Sequence, residues 1–435
     1  MIRAGALGGV LAAAAIAGCT AGGDDAATDR ATGVADRAPT LEPGGWLRVT
    51  DDPAPGAKHH ATSAIRDDGV FTIGWHNGRV APTDAWVRSY TVDDRAPLGV
   101  AVPVNDPDAS GRKVDVVAAP DGTWVAGYED DLDMIDLTRL GSDLAPTGSA
   151  VTLTTFSVNH STDVAVADDG GIAVVWQSDQ NDVSGYVFAR LDPSLAVLDN
   201  TLLDTGPSYP CPPDVAAIPG NGGYLVVWCI REDAPVELEA PDADLLATVI
   251  GADGSTVLPP FRVDQDGLPS PARPMAAVDP VTGSLLFAWH SHDALHVQHG
   301  ASFRAFRADG TALTDELPLG AAGRAHYPVV EGIDGRAIVV WEEAEDDVDP
   351  ARGDPRLAVF DLGADGGTLG WSLDAEPGGV PLHPLPGVNQ WWPSLAVAPV
   401  AGLDGAAVDA VITWASDVDR PGEVDVYAGT ARLTW

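Results

Sequence analysis

One stretch constrains this chain more than any other, because the chain keeps repeating it: Gly222-Gly223-Tyr224-Leu225-Val226-Val227-Trp228. It returns as Gly171-Ile172-Ala173-Val174-Val175-Trp176 and as Arg336-Ala337-Ile338-Val339-Val340-Trp341, and more loosely in segments ending at Trp75, Tyr128, Trp289 and Trp414. Each copy is short, rich in β-branched residues and closed by an aromatic, which favours a strand. The apolar run is continuous, so both faces of the strand should be buried. Gly or Asp-Gly before it and a polar loop after it leave too little length for a helix. The aromatics could form a row of stacking platforms for a ligand. An aromatic at one fixed repeat position is also what wedge packing between neighbouring sheets requires, and packing is the expectation here.

The fourth unit shows the full pattern. An apolar segment from Asp214 to Ile218 leads into a Gly-Asn-Gly turn, and the Tyr224–Trp228 strand and an acidic loop follow. A third strand, Leu245 to Ile250, meets an Asp253-Gly254 turn, and a fourth, Leu258 to Asp264, closes the unit. These four strands are called A, B, C and D. Asp-Gly recurs at Asp309-Gly310 and Asp365-Gly366, and near the A–B turn at Asp68-Gly69, Asp121-Gly122, Asp169-Gly170 and Asp334-Gly335. Glycine there supplies the positive φ that tight hairpins need. The strand-B aromatics fall at 75, 128, 176, 228, 289, 341 and 414. Four strands in roughly 40–50 residues predict an all-β, seven-bladed β-propeller with four-stranded antiparallel blades. A β-helix needs shorter repeats, and a row of immunoglobulin-like sandwiches needs about 100 residues each.

The seventh unit has A (Ser394–Val397), B (Val411–Trp414) and C (Val424–Ala431), with little left for D. Leu47-Arg48-Val49-Thr50-Asp51 has the pattern of a D strand and resembles Phe261-Arg262-Val263-Asp264. The N-terminal strand is therefore expected to complete the last blade, so that the seam has no unpaired edge. Pro103 should lie on an outer strand, where a missing donor is tolerated. The units resemble the tandem Val-Val-Trp repeats of many bacterial secreted and surface proteins. That resemblance implies a propeller over residues 45–435 and carries no catalytic residues with it.

Residues 1–18 read as a signal peptide: Arg3, then a small apolar run. The run ends in Ile16-Ala17-Gly18-Cys19, which resembles the lipobox of bacterial lipoproteins. The resemblance implies a lipid on Cys19 and, with Thr20 rather than Asp following, delivery to the outer membrane. Such a lipid anchors an otherwise soluble protein. Residues 19–44 are Ala, Gly, Asp, Thr and Pro with almost no large apolar side chains, and read as a flexible tether. No apolar run reaches the roughly 18 residues a membrane-crossing helix needs. The other two cysteines, Cys211 and Cys229, flank the fourth A–B hairpin nearly opposite one another. A disulfide is expected there, as suits an exported chain; two buried free thiols are the alternative.

A formal net charge of -40, with Lys58 and Lys113 the only lysines, repels phosphate backbones and argues against nucleic-acid binding. In a propeller the B–C and D–A loops leave one face of the ring and the short A–B and C–D turns the other. The first set is long and varied, which is where binding sits on a rigid scaffold. Just before strand A come His59 and His60, Arg112 and Lys113, His160, Tyr209, Arg273, His326 and Tyr327, and Trp391 and Trp392. These line an expected channel mouth suited to an anionic or sugar-like ligand, though polar entrance positions are also ordinary in such a ring. The B–C loops are acidic (Asp130, Asp131, Asp133; Asp179, Asp182; Glu342 to Asp347; Asp417, Asp419), which suits Ca²⁺ or simply a solvated face. In the fifth unit His290, His292 and His296 cluster with His299 and offer imidazoles for Zn²⁺ or Cu²⁺, without a standard spacing.

Motifs for a serine-hydrolase elbow, a zinc protease or a phosphate loop are absent. Pro120-Asp121-Gly122-Thr123-Trp124 lacks one residue of the sialidase Asp-box. The reading is a monomeric, lipid-anchored envelope protein that binds a protein or glycan partner without catalysis and without a required cofactor. A carbohydrate-active enzyme, with two placed carboxylates in a deep central pocket, is the alternative; a metal-binding surface protein is a third.

Overall fold

The computed structural model describes residues 40–50, 58–78, 84–105, 110–130, 132–154, 159–180, 183–206, 211–220, 222–231, 243–265, 270–292, 298–321, 324–344, 353–363, 370–371, 380–382, 390–400, 407–416 and 424–435. The leader, Cys19, most of the tether and the Asp365-Gly366 turn lie outside these residues.

Seven antiparallel sheets follow one another along the chain. In blade 4, strands A to D are Asp214–Ile218, Gly223–Arg231, Ala243–Ile250 and Thr256–Arg262, paired in that order. The other blades repeat the plan, with strand A against the central channel and strand D outermost. Blade 6 adds a short fifth strand: Gly370–Trp371 and Val380–Pro381 both pair with Gly353–Asp361. Pro103 lies on the outer strand of blade 1. Asp-Gly turns place Gly254 and Gly310 at φ near 80°, where a β-carbon would be strained.

The seam closes as the sequence suggests. Thr40–Arg48 pairs antiparallel with Asp425–Thr434, bringing Leu47 opposite Ala428 and Arg48 opposite Tyr427. The Val49 N–H continues the ladder by donating to the Val426 carbonyl at 2.9 Å. The edge of blade 7 is thereby paired within the chain.

The repeat aromatics are packing residues. Trp75, Tyr128, Trp176, Trp228, Trp289, Trp341 and Trp414 are all at most 4% exposed. Each sits in an apolar cluster, as Trp228 does with Val215, Val226 and Tyr186. Truncating a buried Trp of this kind to Ala costs about 3–5 kcal/mol. This packing backs the inner strands, and the channel they enclose is where chemistry can be placed.

The B strands run past their aromatic by two to four residues. Blade 6 strand B is Arg336–Ala344, so Glu342 and Glu343 belong to the sheet and not to an acidic loop. Both are buried.

Candidate functional site

Strand A carries the same irregularity in six blades. The A–B register slips by one residue between His59 and Thr62, Arg112 and Asp115, His160 and Asp163, Ala272 and Met275, His326 and Val329, and Trp391 and Ser394. A bulge of this kind re-aims a side chain at the end of a strand. Lys113, Ser161, Arg273, Tyr327 and Trp392 occupy it with φ between 47° and 55°. None is glycine, and an L-residue holds that conformation at a cost that surrounding structure must meet.

In three blades the residue after the strand-B aromatic supplies part of that support. His76 Nδ1 accepts the N–H of Lys113 in the next blade at 3.1 Å. Glu129 accepts the N–H of Ser161, and the Glu342 carboxyl accepts that of Trp392. Lys113, Ser161 and Trp392 are thus each clipped by a buried polar group one blade back. His290 follows the same geometry through its ring, which meets Tyr327 edge-on at 5.1 Å.

A second set of ties lies two residues further along strand A. Asp115 accepts the N–H of Val164 at 3.0 Å, Asp163 that of Val215 at 2.8 Å, and Asp214 that of Ala276 at 2.6 Å. Ser394 does the same for Ser63 at 3.1 Å. In sequence these carboxylates are Val114-Asp115-Val116, Thr162-Asp163-Val164 and Pro213-Asp214-Val215, a recurrence that the reading of strand A as merely apolar passes over.

The channel between the A strands is a cavity of about 720 Å³. Lys113, Arg273, Tyr327 and Trp392 line it, with Asp115, Asp163, Asp214 and Glu331. Burial pushes Asp115 up to about 6, Asp214 to about 7 and Glu331 to about 8, and raises Asp163 as well, where neighbouring Asp214 and Asp115 add their charge. What surface Asp115, Asp163 and Glu331 keep is in the wall of this cavity. The channel therefore holds part of its acid in the neutral form, able to donate hydrogen bonds.

Three blades meet at one side of the mouth. The Arg273 guanidinium lies over the Tyr327 ring at 5.1 Å, and Tyr327 meets Trp392 edge-on at 6.4 Å. Among the described residues no carboxylate pairs with Arg273. Arg112 and Lys113 are differently placed: both bond Glu129, at 3.0 and 2.9 Å, and Arg112 also pairs with Asp133. His326 is 1% exposed and lies behind the mouth, not in it. His59, His60, His160 and Trp391 have their backbones on strand A, but their side chains lie outside the described residues, as does all of Tyr209.

Of the acidic loops, Asp130 is occupied by the chain itself: its Oδ1 accepts the N–H groups of Leu132 and Met134, both at 2.8 Å. Among the described residues no group of three or more His, Cys, Asp or Glu is arranged to hold a metal. His290 is buried against Tyr327; the side chain of His292 and all of His296 lie outside the described residues. Cys211 and Cys229 form a disulfide, with Cα atoms 6.0 Å apart.

No family model matches this chain, and no curated protein sequence matches it. Solved structures do. The BP39L lectin from Burkholderia pseudomallei matches with a TM-score of 0.52 at 10% identity, over 83% of this chain and 96% of the lectin. A protein of unknown function from Dyadobacter fermentans matches at 0.48 and 11% identity, over 91% and 99%. The polysaccharide lyase Uly1 matches at 0.49 and 10%, over 88% and 91%. At these identities the likeness is one of fold.

Proposed function

We propose that this chain is an exported, lipid-anchored propeller that binds a sugar-like ligand with an acidic substituent at the mouth of its central channel. The observation that carries the reading is the Arg273–Tyr327–Trp392 wall. Three consecutive blades present a guanidinium and two aromatic rings at one rim, all held in left-handed conformations. Aromatic faces suit the C–H face of a pyranose, and a guanidinium free of carboxylate suits a carboxylate bidentately. A concave site with a few convergent polar groups is where a small ligand binds on such a scaffold. Export and anchoring rest on the leader pattern ending at Cys19, and a disulfide suits an oxidising compartment.

The channel carboxyls favour a second reading, a carbohydrate-active enzyme. A carboxyl raised to about 8, such as Glu331, is protonated at neutral pH, as a general acid must be. Against it, Asp115, Asp163 and Asp214 are each engaged in tying blades together. Binding of neutral and uronate-bearing oligosaccharides to immobilised protein tests both readings. Retention of uronate sugars should drop at least about tenfold in Arg273→Ala and in Trp392→Ala, the loss expected for one anchoring contact. No retention of any saccharide, or retention indifferent to both changes, would sink the binding reading. Shortened sugars in the flow-through, seen by mass spectrometry and lost in Glu331→Gln, would replace it with the enzymatic one.

A further inference from the structure

Blades 2 and 6 carry the same site in two states of completion. In blade 2, Glu129 follows the strand-B aromatic Tyr128, and Arg112 faces it across the A–B ladder. Its carboxylate is fully answered: by Arg112 Nε at 3.0 Å, by Lys113 Nζ at 2.9 Å and by the Ser161 N–H. In blade 6, Glu342 follows Trp341, and His326 faces it across the ladder. Tyr327 stands where Lys113 stands, at φ 47° against 48°, and Trp392 where Ser161 stands. Here, among the described residues, the carboxyl receives only the Trp392 N–H.

What is left over is buried and polar. Among the described residues Glu342 Oε2 has no hydrogen-bond partner, and neither nitrogen of His326 has one. The two residues are 2% and 1% exposed. Three orphaned polar atoms on directly opposed residues are costly to bury unless a partner answers them. The same position in blade 2 shows what fits there, because the chain fills it with its own ammonium group.

We propose that Glu342 and His326 form a receptor for a primary ammonium group on the ligand, which occupies the place that Lys113 Nζ takes in blade 2. This rests on the mouth reading above and narrows its ligand to an amino sugar, with the acidic group toward Arg273 and the amine toward Trp392. The chemistry of the acceptors is suited to it. Burial holds His326 down to about 4, so its imidazole is neutral and keeps one acceptor nitrogen at pH 7. Burial also raises Glu342, a cost that a cation beside it would offset.

Thermal unfolding of the whole protein with glucosamine, N-acetylglucosamine, glucose and Nα-acetyl-lysine amide as probes tests this. Glucosamine should give a saturable rise in Tm of about 2 °C or more, which glucose and N-acetylglucosamine do not. Glu342→Gln keeps an acceptor for the Trp392 N–H and should lose the rise. Tyr327→Lys rebuilds the blade 2 pattern, so it should raise Tm by itself and abolish the response, whereas Tyr327→Met should not raise Tm. A response to the lysine amide alone would keep the ammonium site and overturn the amino-sugar assignment. Equal responses to glucose and glucosamine, a response surviving Glu342→Gln, or no response to either amine would overturn the site and leave a buried water as its occupant. Uronate binding that depends on Arg273 reads the mouth separately, so failure of the amine site is distinguishable from failure of the proposed function.

Discussion

The Asp163 carboxylate of blade 3 accepts the backbone N–H of Val215 in blade 4 at 2.8 Å, and the same tie is made one blade earlier by Asp115 and one blade later by Asp214. Side chains thus bind one inner strand to the next where no ladder hydrogen bond can, and hold the channel wall to a fixed circumference. The three carboxyls pay for this with their own solvation.

That cost makes stability depend on pH. Burial raises Asp163 and carries Asp214 to about 7, both above the usual 3.8. The folded chain therefore holds protons that the unfolded chain has shed, and stability falls as pH rises from about 4 through 7, by at most about 1.4 kcal/mol per unit for each group. Tm should decline across that range. Asp163→Asn keeps an acceptor for Val215 and removes a charge, so it should flatten the decline and be the more stable protein at pH 8. A wild-type Tm that rises over the same window would contradict the assignment.

Glu129 offers a second stability test. Its carboxylate is inaccessible and answers two cations and a backbone N–H. Glu129→Ala strands all three, though Arg112 and Lys113 can turn to water because about a third of each is exposed. The loss should be about 2–3 kcal/mol by denaturant unfolding, and about 1 kcal/mol for Glu129→Gln. Arg112→Ala alone should cost less than Glu129→Ala, since Lys113 remains.

Strand B, the ring of seven and the closing strand were legible because they depend on one repeated period. A continuous Val-Val-Trp run can only be buried on both faces, and its spacing counts the blades. The clips were not legible. Glu342 is the first carboxylate of a run reaching to Asp347, and in one dimension nothing separates a buried strand residue from the loop behind it. The recurring signal was there nonetheless: His76, Glu129, Gln177, His290 and Glu342 each follow the aromatic directly, a polar residue where the strand seemed to have ended. The mouth was legible only as a set of positions. That Arg273 has no carboxylate partner among the described residues while Arg112 is paired follows from Glu129 and Asp133, which are close in space to Arg112.

The disulfide should matter to blade 4 more than to the ring. Cys211 and Cys229 close an 18-residue separation, for which the chain-entropy estimate is about 3 kcal/mol. Reduction should lower Tm by several degrees and leave the far-ultraviolet circular dichroism of the sheet unchanged below the transition. Cys229 sits beside the Pro271 carbonyl of blade 5, so Cys211→Ala with Cys229→Ala should loosen the boundary between blades 4 and 5 first. Hydrogen exchange should show this as faster exchange in Asp214–Ile218 and Ser270–Val278. Uniform acceleration around all seven blades would mean the bridge holds the ring as a whole.

Removing the closing strand tests the circle itself. Thr40–Arg48 covers the edge of Asp425–Thr434, and Trp46 meets Tyr427 edge-on at 5.6 Å while Tyr427 stacks on Trp414 at 6.3 Å. A chain starting at residue 51 would expose a ten-residue edge strand and the flank of that aromatic stack. Unpaired edges of this length recruit other chains, so the truncated protein should associate or precipitate where the full chain stays in solution. Supplying residues 38–50 as a separate peptide should restore monomers, because the ladder and the Trp46 contact need no covalent link to blade 1. If the truncated chain is monomeric with an unchanged Tm, the pairing of Leu47 with Ala428 contributes little, and closure must reside in the packing of blade 7 against blade 1 through Val411, Val426 and Phe71.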